Sequence, residues 1–109
     1  FKSKAQGILE NVIFKGYDAG QKIKIAASYD AGCASTANAY KNLVEGNLVF
    51  TNLTFTGYTV DVYPSSGTCD TTSDDTTAAG LVVSGTTATG APAVSTWSWT
   101  VSSARSLMN

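Results

Sequence analysis

The sequence contains no histidine, and charged residues make up only 14% of it, against about 25% in a typical soluble domain. Lack of histidine removes the commonest acid/base group at neutral pH and the commonest metal ligand. Cys33 therefore has no imidazole to form a Cys–His nucleophile, and Cys33 with Cys69 alone cannot build an ordinary zinc site. Seven Lys plus Arg stand against eight Asp plus Glu, with no basic block. That argues against nucleic acid as a partner, because phosphate binding needs clustered cations. Neither a phosphate loop nor a dinucleotide fingerprint occurs. No run reaches the roughly 18 to 20 apolar residues that span a bilayer, and no signal-peptide pattern opens the chain. Membrane attachment is expected only through a segment outside these 109 residues. The absences together point to a non-enzymatic protein that needs no cofactor.

Hydroxyl residues fill the space that charge leaves. Fifteen Thr and twelve Ser are present, and 23 of these 27 fall between Thr51 and Asn109. Thr suits the wet face of a strand and Ser suits turns, so the second half reads as β-rich and exposed to water. A chain of 109 residues is expected to form one domain. The two cysteines fit an oxidising, extracellular or cell-surface location if they are bonded. Their bond would close a loop of 37 residues counted inclusively, worth roughly 4 kcal/mol by chain entropy. The alternative is a pair of buried free thiols. Charge is split, with six Lys against four acids up to Phe50 and Arg105 against four Asp after it, which suits either packing of like subunits or plain solvated faces.

Ala5, Ile8, Leu9, Val12 and Ile13 follow the spacing of one helix face. The pattern predicts an amphipathic helix over Lys2–Lys15, stopped by Gly16, although Asn11–Tyr17 also reads as a strand. Residues 16–46 read as a loop region: turns at Asp18-Ala19-Gly20 and Asp30-Ala31-Gly32, a strand over Lys22–Tyr29, and a short helix within Ala34–Glu45, capped by Ser35 or Thr36 and ended by Gly46. From residue 47 the period changes to two. Strands are expected at Leu48–Thr56, Tyr58–Tyr63, Gly80–Ser84 and Val94–Ser102, with a polar loop over Cys69–Ala79. The expected fold is α+β: an N-terminal helix packed on a four-stranded antiparallel meander, with one disulfide. No internal repeat stands out.

A lysine-flecked helical stub, a loop region with a minor helix, a four-stranded meander and one disulfide resemble the globular head of a type IV pilin or pseudopilin. The resemblance covers the whole chain in layout. It implies a structural subunit for filament assembly and surface attachment, a homo-oligomeric partner, and a long apolar helix preceding Phe1 in the mature protein.

Four chemical readings compete with simpler ones. Asp70, Asp74 and Asp75 lie in a Thr-rich stretch and could hold calcium, or be a solvated loop. Glu10, Glu45 and the aspartates could supply a carboxylate pair for glycoside hydrolysis, but no spacing singles one out. Trp97 and Trp99 share a strand face and could form a glycan-binding platform in a secreted adhesion module, or fill a core. Asn52-Leu53-Thr54 matches an N-glycosylation acceptor.

Overall fold

A computed structural model of the chain describes residues 1–14, 20–55, 57–64, 67–83, 85 and 87–90. Gly7 opens the first element with a φ of 131°, which a side chain would strain. The β-branched and aliphatic residues after it form strand β1 (Gly7–Glu10). Asn11 then turns the backbone through the left-handed region, φ 56°, a conformation that Asn tolerates better than most residues. Strand β2 (Ile13–Phe14) follows, then β3 (Gln21–Tyr29), β4 (Ser35–Ala37) and helix α1 (Asn38–Val44). Gly46, at φ 78°, carries the chain out of the helix.

The path then repeats. Strand β5 (Leu48–Thr51) lies parallel to β1, with Gly7 opposite Leu48 and Glu10 opposite Thr51. Asn52 makes the same left-handed bend as Asn11, φ 53°. Strand β6 (Thr54–Phe55) runs parallel to β2, and β7 (Tyr58–Pro64) parallel to β3. Partner residues are 41 apart in sequence for the first two pairs and 37 for the third. The difference arises because four more residues separate β2 from β3 than β6 from β7. After β7 comes a second helix, α2 (Thr72–Leu81), packed against β7 and α1. The chain thus winds twice along one route, as two stacked coils.

The core lies between the β3–β7 sheet and the two helices. Ile23, Ile25 and Ala27 alternate inward from β3 and meet Val62 of β7, Ala39, Tyr40 and Leu43 of α1, and Ala78 of α2. Leu48 and Phe50 of β5, with Leu53 after it, extend it along the second coil. Strand β4 covers part of the free edge of β3 in antiparallel pairing. Phe1 covers more of that edge, its amino group donating to the Lys24 carbonyl at 2.7 Å and its carbonyl accepting from the Ala26 amide at 3.0 Å. Asn42, buried in α1, donates to the Ala5 carbonyl at 3.1 Å and so meets its polar need.

Several sequence expectations are corrected. The α+β class stands in the coarse sense of helices beside short sheets, but there is neither an N-terminal helix nor a four-stranded antiparallel meander among the described residues. The stripe Ala5, Ile8, Leu9, Val12 and Ile13 arises from two short strands joined by the Asn11 bend: Ala5, Leu9 and Val12 pack on the core, while Ile8 and Ile13 are exposed. The main strands pair in parallel because each coil must return over its own starting point before the next strand is laid down. The layout behind the likeness to a pilin head is therefore not the one adopted. The supposed polar loop over Cys69–Ala79 is largely α2, which also absorbs the start of the expected strand at Gly80–Ser84. The short helix of the middle region begins at Asn38 without a side-chain cap, and Ser35 and Thr36 lie in β4 instead. Strand Val94–Ser102 lies outside the described residues.

Candidate functional site

Two places gather polar chemistry. The first is the corner where each coil turns from its long strand toward its helix. Asp30 shapes this corner in the first coil: its carboxylate accepts from the Gly32 amide at 2.8 Å and the Ala34 amide at 3.0 Å. The closed turn presents Cys33, at φ 61°, to Cys69 at the corresponding corner of the second coil. The two are bonded, S–S 2.07 Å with Cα atoms 5.6 Å apart, so the disulfide expected from the sequence joins one coil to the next.

Beside it, the three aspartates suggested for calcium each serve a different partner. Asp70 accepts from the Thr72 amide at 2.9 Å and its hydroxyl at 2.7 Å, covering the first amide of α2. Those two bonds, the hydroxyl's foremost, hold its carboxyl below the ordinary Asp range. Asp74 accepts from the hydroxyls of Tyr29 and Tyr40, the latter at 2.9 Å. Asp75 accepts from the Val62 amide at 2.5 Å and the Thr71 hydroxyl at 3.4 Å. Among the described residues no cluster of three or more His, Cys, Asp or Glu side chains could hold a metal ion. Burial first, and then the bond to the Asp74 carboxylate, raise the ionisation of Tyr29 and Tyr40 above the usual phenol value. The group is an acceptor-centred clamp between β3, α1 and α2. Glu45 pairs with Lys41 at 3.0 Å, while Glu10 stands exposed on β1.

The second place is the bend between the short strands. Asn52 Nδ2 donates to Asn11 Oδ1 at 2.5 Å, and Thr87 Oγ1 donates to Asn52 Oδ1 at 2.7 Å. The Asn11 amide donates to the Thr51 carbonyl at 3.1 Å and the Thr54 amide to the Val12 carbonyl at 2.9 Å, so the backbone pairing continues across the bend. A third level starts above: the Gly85 amide donates to the Leu53 carbonyl, and the Gly85 carbonyl accepts from the Thr54 hydroxyl at 3.0 Å. A Cβ at Gly85 would stand 3.0 Å from Asn52 Oδ1, so this level fits closely over the one below. The three side chains form a ladder with every donor pointing the same way, Thr87 to Asn52 to Asn11. The Asn52-Leu53-Thr54 acceptor pattern is therefore part of the frame: Asn52 is engaged in the ladder and Leu53 is fully buried.

Sequence reasoning missed the ladder, although a signal for it exists. Asn11-Val12-Ile13-Phe14 and Asn52-Leu53-Thr54-Phe55 share Asn, an aliphatic residue and Phe at the same offsets. An open groove of about 530 Å³ also runs between β7 and α2, lined by Phe55, Tyr58, Val60, Ala79 and Val83 among others. Its one carboxylate, Asp75, is already engaged with the Val62 amide. Trp97 and Trp99 lie outside the described residues. Among the described residues no helix is long and apolar enough to cross a membrane. No protein-family model, curated protein or solved structure matches the chain.

Proposed function

We propose that this chain is a non-enzymatic structural module of an extracellular or cell-surface protein, whose work is assembly and surface contact. The observation that carries this reading is the pair of coils stacked in register and joined at one corner by Cys33–Cys69. A disulfide that ties successive coils stabilises a small domain substantially and persists in oxidising compartments. Parallel stacking favours an extended, rigid frame in which each level supplies the hydrogen-bond partners of the next. Its polar clusters support this assignment too, since Asp74 and Asp75 are spent on holding elements together and Asp70 on the start of α2. The filament role suggested by the sequence is retained in this reading, but it rests on stacked rungs, with no helix stripe packed on a meander.

The test is made on the native protein in its source cells. Intact cells are labelled with a membrane-impermeant amine reagent, then lysed into an alkylating agent. The expected result is labelling from outside with Cys33 and Cys69 unalkylated. Recovery from the cytosol with both thiols alkylated overturns the reading.

A further inference from the structure

The fold gathers lysines from three parts of the sequence around the start of α1. Phe1 bridges to β3 as a parallel strand does, its amino group on the Lys24 carbonyl and its carbonyl on the Ala26 amide. Lys2 and Ser3 therefore come abreast of Ala26. With Asn38 and Tyr63 they line a cavity of about 320 Å³. A second cavity, of about 200 Å³, meets the first at Asn38 and is lined by Lys4, Gln6, Thr36 and Lys41 among others. The Lys24 ammonium stands over the Tyr63 ring, 6.0 Å from its centre. Charge here is one-sided. Glu45, which also lines the second cavity, is paired with Lys41 at 3.0 Å, whereas Lys2, Lys4 and Lys24 have no ion-pair partner among the described residues. Asn38 Nδ2 donates to Ser28 Oγ, which leaves Asn38 Oδ1 to accept.

Such a cleft calls for a ligand with three properties: carboxylates for the lysines, hydroxyls for the side chains of Ser3, Gln6, Thr36 and Asn38, and a ring face that can lie against Tyr63. A sugar acid has all three. Nucleic acid would need a denser run of cations, and an acidic peptide lacks the hydroxyls. We propose that the two cavities bind an acidic polysaccharide, a chain of uronic acid units, with one ring in each. The lysines draw the polymer in, and the tyrosine with the amide and hydroxyl groups decides which polymer is held. The inference deepens the surface contact proposed above and rests on it.

The experiment titrates the oxidised 109-residue chain with oligogalacturonate by calorimetry at low ionic strength, where exposed charges are least screened. Two further probes separate the causes. The fully methyl-esterified oligomer keeps the rings and loses the charge, and polyglutamate of equal length keeps the charge and loses the rings. Binding is expected to the uronate and to be weaker by about tenfold or more to either probe. Tyr63→Leu, and Lys2→Gln combined with Lys4→Gln, are each expected to keep the circular dichroism of the parent and weaken uronate binding by about tenfold. Lys22→Gln is expected to leave it unchanged, since Lys22 is engaged with Asp61 at 3.4 Å. No uronate binding at low ionic strength overturns the proposal. So does equal binding of polyglutamate, which marks charge attraction alone, or uronate binding that neither Tyr63→Leu nor the lysine pair weakens. A surface-exposed, oxidised protein without uronate affinity sinks the site and leaves the structural role; a cytosolic, reduced protein sinks the role whatever the titration shows.

Discussion

The side chain of Asn52 donates to that of Asn11 at 2.5 Å, and the two residues hold nearly one backbone conformation, φ 53° and 56°. The pair therefore does two things at each bend, tolerating the left-handed turn and tying one level to the next. Substitution separates them. Asn52→Gly keeps an easy left-handed backbone but deletes the ladder bonds to Asn11 and Thr87, for a loss of about 1 to 2 kcal/mol. Asn52→Ala deletes the same bonds and adds the left-handed penalty of a Cβ, about 1 kcal/mol more. Urea unfolding of the two variants checks the order: Ala must be the less stable, and equal values would remove the backbone from the argument.

The disulfide predicts a second effect. Reduction frees the 37-residue loop between Cys33 and Cys69 in the unfolded chain, a change of roughly 4 kcal/mol by chain entropy. Because total stabilities of such domains are about 5 to 15 kcal/mol, the reduced chain is expected to be marginal. The measurement is a denaturant titration with and without reductant. The midpoint should fall steeply on reduction, and a midpoint that does not move would show that the corner is held by Asp30 and the tyrosine clamp alone.

Much of the local structure was legible in the sequence, because it depends on neighbours a few residues away. The alternation through Ile23 and Ile25 marked β3, that through Tyr58, Val60 and Val62 marked β7, and Gly46 marked the end of α1. The disulfide was legible from its two cysteines. Pairing direction was not, since a period of two looks the same in a parallel and an antiparallel partner. The first segment misled for a definite reason: inserting the Asn11 bend between two short strands places Leu9 and Val12 inward at a spacing of three, which is also a helical spacing. Helix α2 was hidden because its residues are poor helix formers and its apolar face is barely more than Ala78. Tertiary bonds offset that: Asp75 accepts from the Val62 amide, and Asp74 accepts from two tyrosines. No local pattern announces such bonds.

Position along the first segment also sets a stability contrast. Ile8 is largely exposed, whereas Leu53 is completely buried between the rungs and the helices. Leu53→Ala is expected to cost about 2 to 5 kcal/mol, and Ile8→Ala to stay within about 0.5 kcal/mol, measured at a concentration where the chain is monomeric. A helix packed on a sheet would have required the opposite of Ile8. A large loss there in the monomer would return the segment to a helical reading.

The tyrosine clamp gives the fold an alkaline limit. Tyr29 and Tyr40 both ionise above the ordinary phenol value of 10.0 in the folded chain, through burial first and the Asp74 carboxylate next. The folded state therefore holds these protons more tightly than the unfolded state does. Their contribution to stability is whole below the unfolded value and is lost as pH rises above it, because only the unfolded chain then releases protons freely. Unfolding free energy should be flat with respect to these two groups at neutral pH and fall progressively above about pH 10. Tyr29→Phe removes one of the two titrations, and it should make the alkaline decline shallower even though it forfeits a hydrogen bond and lowers stability at pH 7. Tyrosinate absorbance followed beside circular dichroism checks the coupling. Two of the phenols should ionise only as the fold is lost, and free ionisation of both in a chain that stays folded would break the link between Asp74 and the packing of α1 and α2.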